Sequence, residues 1–214
     1  MADILNVIYT IGHSTHSAEN FAALLKRHKI DVVADVRSSP YSRMNPHFNQ
    51  SELKRYIKNA GILYVFLGDQ LGARSSDPSC YEQGKVQYSR LAHTNSFQMG
   101  IGRLLDGASR FRIAVMCAEK EPLECHRTIL VARELVSKGV EVKHIHFDGS
   151  VESHDDAIDR LLVSLGMAAA DIFRSNSDLI DKAYSDQSDK IAYVKKDFNA
   201  PVDFDGLQYE DPAR

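Results

Sequence analysis

The feature that most constrains this chain is an alternation of short apolar runs with amphipathic helical segments over residues 7–165. The apolar runs predict five strands, at Val7–Gly12, Asp31–Arg37, Ile62–Leu67, Phe111–Met116 and Glu141–Phe147. Helices are predicted at Ser17–Lys29, Gln50–Ala60, Val86–Leu105 with a break near His93–Ser96, Pro122–Lys138 and Asp155–Leu165. Strands separated by helices form parallel sheets with right-handed crossovers. The order therefore predicts an α/β fold of three layers, a mostly parallel five-stranded sheet with helices on both faces.

The C-terminal part of the chain has a different character. Residues 171–214 contain ten acidic and six basic residues, with Pro201 and Pro212 and little periodicity. We therefore expect an α/β domain over residues 1–167 and an irregular acidic extension over residues 168–214. Apolar side chains between Tyr193 and Leu207 indicate that this extension is an arm. It would dock on the body or on a partner, which makes a homodimer one predicted assembly.

Composition excludes several classes of protein. A formal net charge of −3 argues against a broadly basic nucleic-acid-binding surface, although it allows a local cationic site. No apolar run approaches the ~20 residues that cross a bilayer, so no membrane partner is expected. The first residues lack the features of a signal peptide, and three cysteines make no disulfide framework. The expected location is the cytoplasm.

Polar and titratable residues follow the predicted strands at the points where the strands end. They are Gly12-His13-Ser14, Asp35 with Arg37, Asp69-Gln70, Cys117 with Glu119, and Asp148-Gly149. The carboxyl ends of parallel strands share one edge of a sheet, where open α/β proteins bind their ligands. The sequence therefore predicts a ligand crevice along this edge.

The segment Phe111–Arg127 has the densest chemistry, because a strand, a short loop and the start of a helix gather two thiols, an imidazole and a guanidinium. Three interpretations stay open. Cys117, Cys125 and His126 would bind a metal ion with a fourth ligand such as His13. Alternatively the thiols would act as a nucleophile or redox switch, or they would only line an anion pocket. The phosphatase pattern C-x5-R is absent, because Leu123 stands six residues after Cys117.

The leading hypothesis is a site that binds or processes an anionic, phosphate-bearing substrate such as a nucleotide or a nucleic-acid end. A metal-binding or thiol redox protein and a non-catalytic interaction module acting through the arm are the alternatives. Whether the protein is an enzyme stays open, as do its cofactors, and no residue is assigned to a metal. The candidate catalytic residues are His13, Cys117, Glu119, Cys125 and His126. The candidate substrate-binding residues are Ser14, Asp35, Arg37, Ser42, Arg43 and Arg127. An ion pair between Asp35 and Arg37 is an equally good structural explanation of those two residues.

Four motifs in order carry a family resemblance: TIGHS at Thr10–Ser14, DVR with SP-x-SR at Asp35–Arg43, LG-x-x-LG at Leu67–Gly72, and MC-x-E-x-x-P-x-x-CHR at Met116–Arg127. The chain resembles the family called domain of unknown function 488 over about residues 7–150. The resemblance implies a compact α/β fold and places the candidate residues on the family's characteristic positions. It implies no established activity. One departure is Ala73, where a second glycine is common.

Overall fold

The computed structural model describes residues 7–167 and 176–195. Six strands form the central sheet: β1 Val7–Gly12, β2 Val32–Asp35, β3 Leu63–Phe66, β6 Ile113–Cys117, β7 Glu141–Ile145 and β8 Val151–Ser153. Their order is β3-β2-β6-β1-β7-β8, with every neighbouring pair parallel except β7 and β8. A separate hairpin pairs β4 Tyr81–Glu82 with β5 Lys85–Val86. The predicted mostly parallel α/β fold is confirmed.

The described helices follow β1 and lie between and after the strands. They are α1 Ala18–Arg27, α2 Gln50–Asn59, α3 Gly68–Leu71, α4 Tyr88–Ala92, α5 Asn95–Ala108, α6 Arg133–Ser137, α7 His154–Ser164 and α8 Asn176–Ile191. A π-helix at Arg127–Ala132 precedes α6, and 3-10 turns occupy Pro46–Phe48, Pro78–Cys80 and Pro122–Glu124. Among the described residues, no helix combines the length and apolarity needed to cross a bilayer.

Side chains alternate between the two faces of the sheet, and each face has its own apolar core. On one face α1 and α2 cover the sheet, where Phe21 and Ile57 pack with Ile11 and Met116. On the other face α5, the π-helix and α7 pack with side chains such as Val115. Burial of two faces by two sets of helices makes the three predicted layers. The sheet's buried centre is what holds the strand ends in fixed positions.

Local residue chemistry explains where the first elements begin and end. Ser17 caps α1, because its Oγ accepts a hydrogen bond from the backbone N–H of Asn20 at 3.1 Å. Gly61 ends the turn after α2 with φ +80°, a conformation that glycine adopts without strain. The predicted break in the third helix is confirmed at His93-Thr94, where the Thr94 side chain caps α5.

Three features differ from the prediction. The sheet has a sixth strand, because the chain turns back at Gly149 and three residues pair antiparallel with β7. The long loop Gly68–Gly84 contains α3 and β4, which are too short to produce a periodic pattern. The helix predicted over Pro122–Lys138 is divided, since Cys125 has an extended backbone between the 3-10 turn and the π-helix.

The C-terminal extension also contains regular structure. Within the part of it that is described, α8 packs on the body, whereas the whole extension was predicted to be irregular. The residues after α8 run extended along β5, because Val86 N–H donates to Tyr193 O at 3.0 Å and Lys195 N–H donates to Gly84 O at 2.9 Å. The rest of the predicted arm, residues 196–214, lies outside the described residues, as do 168–175. The homodimer prediction therefore remains a prediction.

Candidate functional site

A cavity of about 430 Å³ lies at the carboxyl ends of three adjacent strands, β2, β6 and β1. His13 follows β1, Arg37 follows β2 and Cys117 ends β6, and all three side chains line the cavity. The residues after the outer strands, Asp69 after β3 and Asp148 after β7, do not line it. The crevice is thus built by the middle of the sheet rather than by its whole edge. Below, this space is called the site cavity.

Four side chains form the floor of the site cavity and are called the thiol cluster: Cys117, Glu119, Cys125 and His126. One ligand atom from each lies within 4.8 Å of all the others. The two cysteines and the histidine are buried, whereas Glu119 is an exposed residue whose carboxylate reaches inward. The cluster therefore joins three buried side chains to the carboxylate of one residue that is exposed to solvent.

The chain places these groups by changing its direction twice. The strand β6 is buried along its full length and carries Cys117 to the sheet edge. A 3-10 turn follows, and the extended backbone at Cys125 turns its thiol back toward Cys117. The Cys125 carbonyl accepts the N–H groups of Thr128 and Ile129 at 3.0 and 3.2 Å, and its Sγ accepts the N–H of Arg127 at 3.4 Å. Cys125 therefore lies just before the π-helix, and its side chain also lines the cavity.

Protons are unevenly distributed within the thiol cluster. Burial raises the pKa of Cys117 well above its ordinary value. Burial also opposes ionisation of Cys125, but the Cys117 thiol, the Arg127 guanidinium and His126 together lower the pKa of Cys125 well below its ordinary value. Burial, and then the negative charge of Cys125, raise the pKa of Glu119. Cys125 Sγ and Glu119 Oε2 are 2.8 Å apart and share one proton.

The orientation of His126 is set by a backbone contact. Its Nε2 donates to the carbonyl of Val36 at 3.0 Å, so the proton of the neutral ring is on Nε2. Nδ1 is then an acceptor, and it lies 3.7 Å from Cys117 Sγ and 3.9 Å from Cys125 Sγ. Although burial favours the neutral ring, its contact with Cys125 raises the pKa of His126. The Nδ1 edge of the imidazole therefore faces both thiols.

Beside the thiol cluster, Asp35, Arg37 and His13 form a buried network. Arg37 Nη2 lies 2.6 Å from Asp35 Oδ2, and Tyr64 Oη donates to the same oxygen at 2.7 Å. Arg37 Nη1 donates to His13 Nε2 at 3.2 Å, so the ring carries its proton on Nδ1, which donates to Ser14 O at 3.0 Å. Burial and then Arg37 lower the pKa of His13 to about 4. His13 is therefore neutral near pH 7, with both ring nitrogens engaged.

Arg127 holds the loop that carries Glu119 rather than lining the cavity. Its side chain is completely buried, and Nη1 donates to the backbone carbonyl of Glu119 at 2.8 Å. The same loop crosses Gly12 so closely that an added Cβ would lie 1.8 Å from Glu119 O. Glycine at position 12 and the arginine at position 127 thus fix the loop from two sides.

The remaining candidates divide between the cavity and its surroundings. Ser42 lines the cavity. Ser14 lies next to His13 with φ +44°, and Asp35 is buried behind Arg37. Arg43 is exposed and does not line the cavity. The structure therefore brings together His13, Arg37, Ser42 and the thiol cluster, while Ser14, Asp35, Arg43 and Arg127 lie around them.

Several residues of the cavity wall were not among the predicted site residues. Arg74 and Tyr88 line it, as do Ile191 and Tyr193 from the C-terminal extension. Burial raises the pKa of Tyr88, which keeps its hydroxyl protonated. The only sequence signal for Arg74 was its place in the long glycine-bounded loop after β3, since such loops are often functional. Nothing in the sequence pattern links residues 191–193 to the strand ends.

Fold and site together define an α/β protein with a cluster of two thiols, a carboxylate and an imidazole at the carboxyl edge of its parallel sheet. A protein-family model described as Domain of unknown function DUF488 matches residues 17–133. The chain belongs to this family, which confirms the resemblance seen in its motifs. The matched region contains the whole thiol cluster, whereas His13 and α8 lie outside it. No curated protein matches the chain, and no solved structure does.

Proposed function

We propose that the thiol cluster is a transition-metal centre, for Zn²⁺ or Fe²⁺, at which an anionic, phosphate-bearing substrate is processed in the site cavity. A nucleotide or a nucleic-acid end is the substrate class considered. The observation that carries the proposal is the convergence of four metal-binding side chains, with their ligand atoms within 4.8 Å of one another. Two thiolates with one imidazole bind zinc and iron in preference to hard cations such as Mg²⁺.

The distances are close to those of a tetrahedral site. With Zn–S bonds of about 2.3 Å and Zn–N bonds of about 2.0–2.1 Å, sulfur and nitrogen ligands of one ion lie roughly 3.6 Å apart. The two Sγ–Nδ1 distances to His126 are 3.7 and 3.9 Å. The contact of 2.8 Å between Cys125 and Glu119 is shorter because a proton lies between them. Metal binding would release that proton.

The surroundings of the ligands support the same proposal. Metal-binding histidines usually donate their second N–H to a carbonyl or carboxylate, which fixes the ring. The hydrogen bond from His126 Nε2 to Val36 O has this form and leaves Nδ1 directed at the thiols. The fourth ligand of the cluster is Glu119 and not His13, because both ring nitrogens of His13 are engaged by Arg37 and Ser14.

The open side of the cluster favours a reactive centre over a purely structural one. Three ligands are buried, but Glu119 is exposed and faces a cavity that reaches the exposed side chain of Tyr41. Water or a substrate oxygen would take the place of the carboxylate, and a metal ion held by the thiol cluster would polarise that oxygen. Hydrolysis of a phosphate ester is the reaction class that fits this chemistry. A reducing compartment such as the cytoplasm would keep the thiols available.

A specific observation favours a second candidate, a thiol redox pair. The pKa of Cys125 is lowered and that of Cys117 is raised, which is the asymmetry of an attacking thiolate beside a partner thiol. Oxidation by a peroxide would join the two sulfurs, with loss of two protons and two electrons from the thiols and formation of water from the peroxide. This candidate needs no metal.

Elemental analysis of protein purified without chelator or metal-affinity resin tests the first candidate. We expect about one equivalent of zinc or iron, lost in Cys125→Ala and in His126→Gln but kept in Cys80→Ala. Cys80 is the matched control, because it is buried in the core and is not part of the cluster. Absence of metal from the wild-type protein, or its retention in Cys125→Ala, contradicts the proposal.

The same control variant separates the two candidates. Cys80→Ala leaves Cys117 and Cys125 as its cysteines, so thiol titration after mild peroxide treatment reports on that pair alone. Loss of both thiols with recovery on reduction, in protein that contains no metal, supports the redox pair. If both thiols stay free, the redox candidate is removed.

A further inference from the structure

Arg74 is the cationic side chain of the site cavity that remains available for a ligand. It follows the glycine-bounded element after β3, is exposed and lines the cavity. Its backbone N–H donates to Ser38 Oγ at 3.0 Å, which fixes the chain at this point. Within residues 7–167 and 176–195, no carboxylate forms an ion pair with its guanidinium. Its guanidinium also makes no hydrogen bond in this part of the chain, so its N–H donors can serve a ligand.

The two arginines predicted to bind an anion are already engaged. Arg37 donates to both carboxylate oxygens of Asp35 and to the carbonyl of Phe48. Arg127 is buried and donates to the carbonyls of Glu119 and Lys120. A buried arginine that left these partners would break several charge-assisted hydrogen bonds. Arg74 avoids that cost, because among the described residues its guanidinium makes a cation–π contact and no hydrogen bond.

A residue of the C-terminal extension holds the Arg74 side chain in place. The guanidinium carbon of Arg74 lies 4.5 Å from the centre of the Tyr193 ring, a cation–π contact. The backbone of this segment is itself fixed, since Val86 N–H donates to Tyr193 O and Lys85 bridges to Val194. The segment lies beyond residues 17–133, which the family model matches.

The hydroxyl groups near Arg74 suit a phosphate group. Ser38, Ser39 and Ser42 line the same cavity. Ser38 Oγ already accepts from Arg74 N, and Ser42 Oγ accepts from Asn45 N at 3.1 Å. Each of these hydroxyl oxygens therefore uses one lone pair, and among the described residues neither O–H group donates to a partner. Phosphate has three terminal oxygens and needs several donors, whereas a carboxylate is satisfied by one arginine fork.

We propose that Arg74 binds the phosphate group of a phosphomonoester in the site cavity and that Tyr193 positions Arg74 for this contact. The inference rests on the proposed function, because the bound ester would lie above the thiol cluster. It goes further by assigning the anion site to Arg74 rather than to Arg37, Arg43 or Arg127. It also gives the C-terminal segment a part in selecting the substrate.

Calorimetric titration with inorganic phosphate, AMP and succinate tests the role of Arg74. We expect phosphate and AMP to bind the wild-type protein, and Arg74→Gln to weaken both by about tenfold or more, the loss of a charge-assisted contact. The control is Arg90→Gln, which removes an exposed arginine paired with Glu82 and should stay within about twofold. Arg43→Gln should behave like this control. Equal affinities for Arg74→Gln and wild type overturn the proposal, as does binding of succinate without phosphate.

Tyr193 is tested by a conservative and a disruptive variant. Tyr193→Leu should weaken phosphate binding roughly threefold, and Tyr193→Phe should restore it, because the aromatic ring makes the contact. In Arg74→Gln the Leu substitution should have no further effect. Additive losses, or a Phe variant as weak as the Leu variant, overturn the positioning role.

Elemental analysis of the same samples separates this inference from the proposed function. Metal content should be equal in the wild-type protein and in Arg74→Gln. If the wild-type protein contains metal but binds neither phosphate nor AMP, the inference is overturned and the metal centre is retained. Binding that depends on Arg74 in protein without metal supports the inference and removes the metal centre.

Discussion

A buried histidine makes the stability of this protein depend on pH in a calculable way. His154, at the start of α7, bonds to His144 Nε2 at 3.1 Å and to Tyr184 Oη at 2.6 Å. Burial lowers its pKa from 6.5 to about 4. The charged group beside it on its own helix is Asp155, whose field partly opposes this shift, and Arg133 lies over the Tyr184 ring. The folded protein therefore holds this imidazole neutral.

The sign of the effect follows from the lowered pKa. Between pH values of about 4 and 6.5 the unfolded chain binds a proton that the folded chain does not bind, so stability falls as pH falls through this window. Relative to about pH 7.5, we expect His154 to lower the free energy of unfolding by roughly 2 kcal/mol at about pH 5. Above about pH 7 its contribution is constant.

Urea denaturation of the wild-type protein and of His154→Gln at these two pH values measures the effect. The difference between the pH values should be smaller in the variant by roughly 2 kcal/mol. Titrating groups that do not contact His154 are present in both proteins, so their contributions largely cancel. His93→Gln, at an exposed position, should leave the difference unchanged. The reasoning is refuted if wild type and His154→Gln lose the same stability on acidification.

Three further predictions concern the frame around the site. Gly12→Ala should destabilise the fold by several kcal/mol, because its Cβ would overlap Glu119 O. The control is Gly102→Ala in α5, whose Cβ meets nothing within 4 Å and which should stabilise the fold by about 0.5–1 kcal/mol. Thermal melting of the two variants checks this, and similar effects of both would contradict it. Asp35→Asn should cost about 3–5 kcal/mol in chemical denaturation, since it leaves Arg37 buried without its counter-charge, and a loss below about 1 kcal/mol would disprove this role. Gln187→Ala removes a buried hydrogen bond of 2.8 Å to Leu123 O, so amide exchange in α8 should accelerate while that in β6 does not; unchanged exchange in α8 would show that the bond does not hold the helix.

The fold could be predicted because its signals are local. The buried β-branched runs of β2 and β6 and the amphipathic faces of α1 and α2 each depend on near neighbours in the chain. Short elements were not predictable in the same way, because β8 has three residues and depends on its pairing with β7. The break at Cys125 was missed for a similar reason, since an extended residue between two helical turns leaves the apolar spacing unchanged.

The candidate site was predictable in its position and only in part in its membership. Cys117, Glu119, Cys125 and His126 were found because they lie near each other in the chain at a strand end. Arg127 was expected to bind an anion, but its orientation into the core depends on the carbonyl of Glu119. The sequence also offered no sign that Tyr193 would meet Arg74.

By itself the sequence determined the parallel sheet, the family and the sheet edge that carries the candidate site, because periodicity and motif spacing are properties of neighbouring residues. Only the tertiary structure decided which groups are free to act. Asp35 occupies Arg37, Arg37 and Ser14 occupy His13, and Val36 directs His126 toward the thiols. The physical reason is that a polar group's availability depends on the partners that folding brings to it from distant parts of the chain.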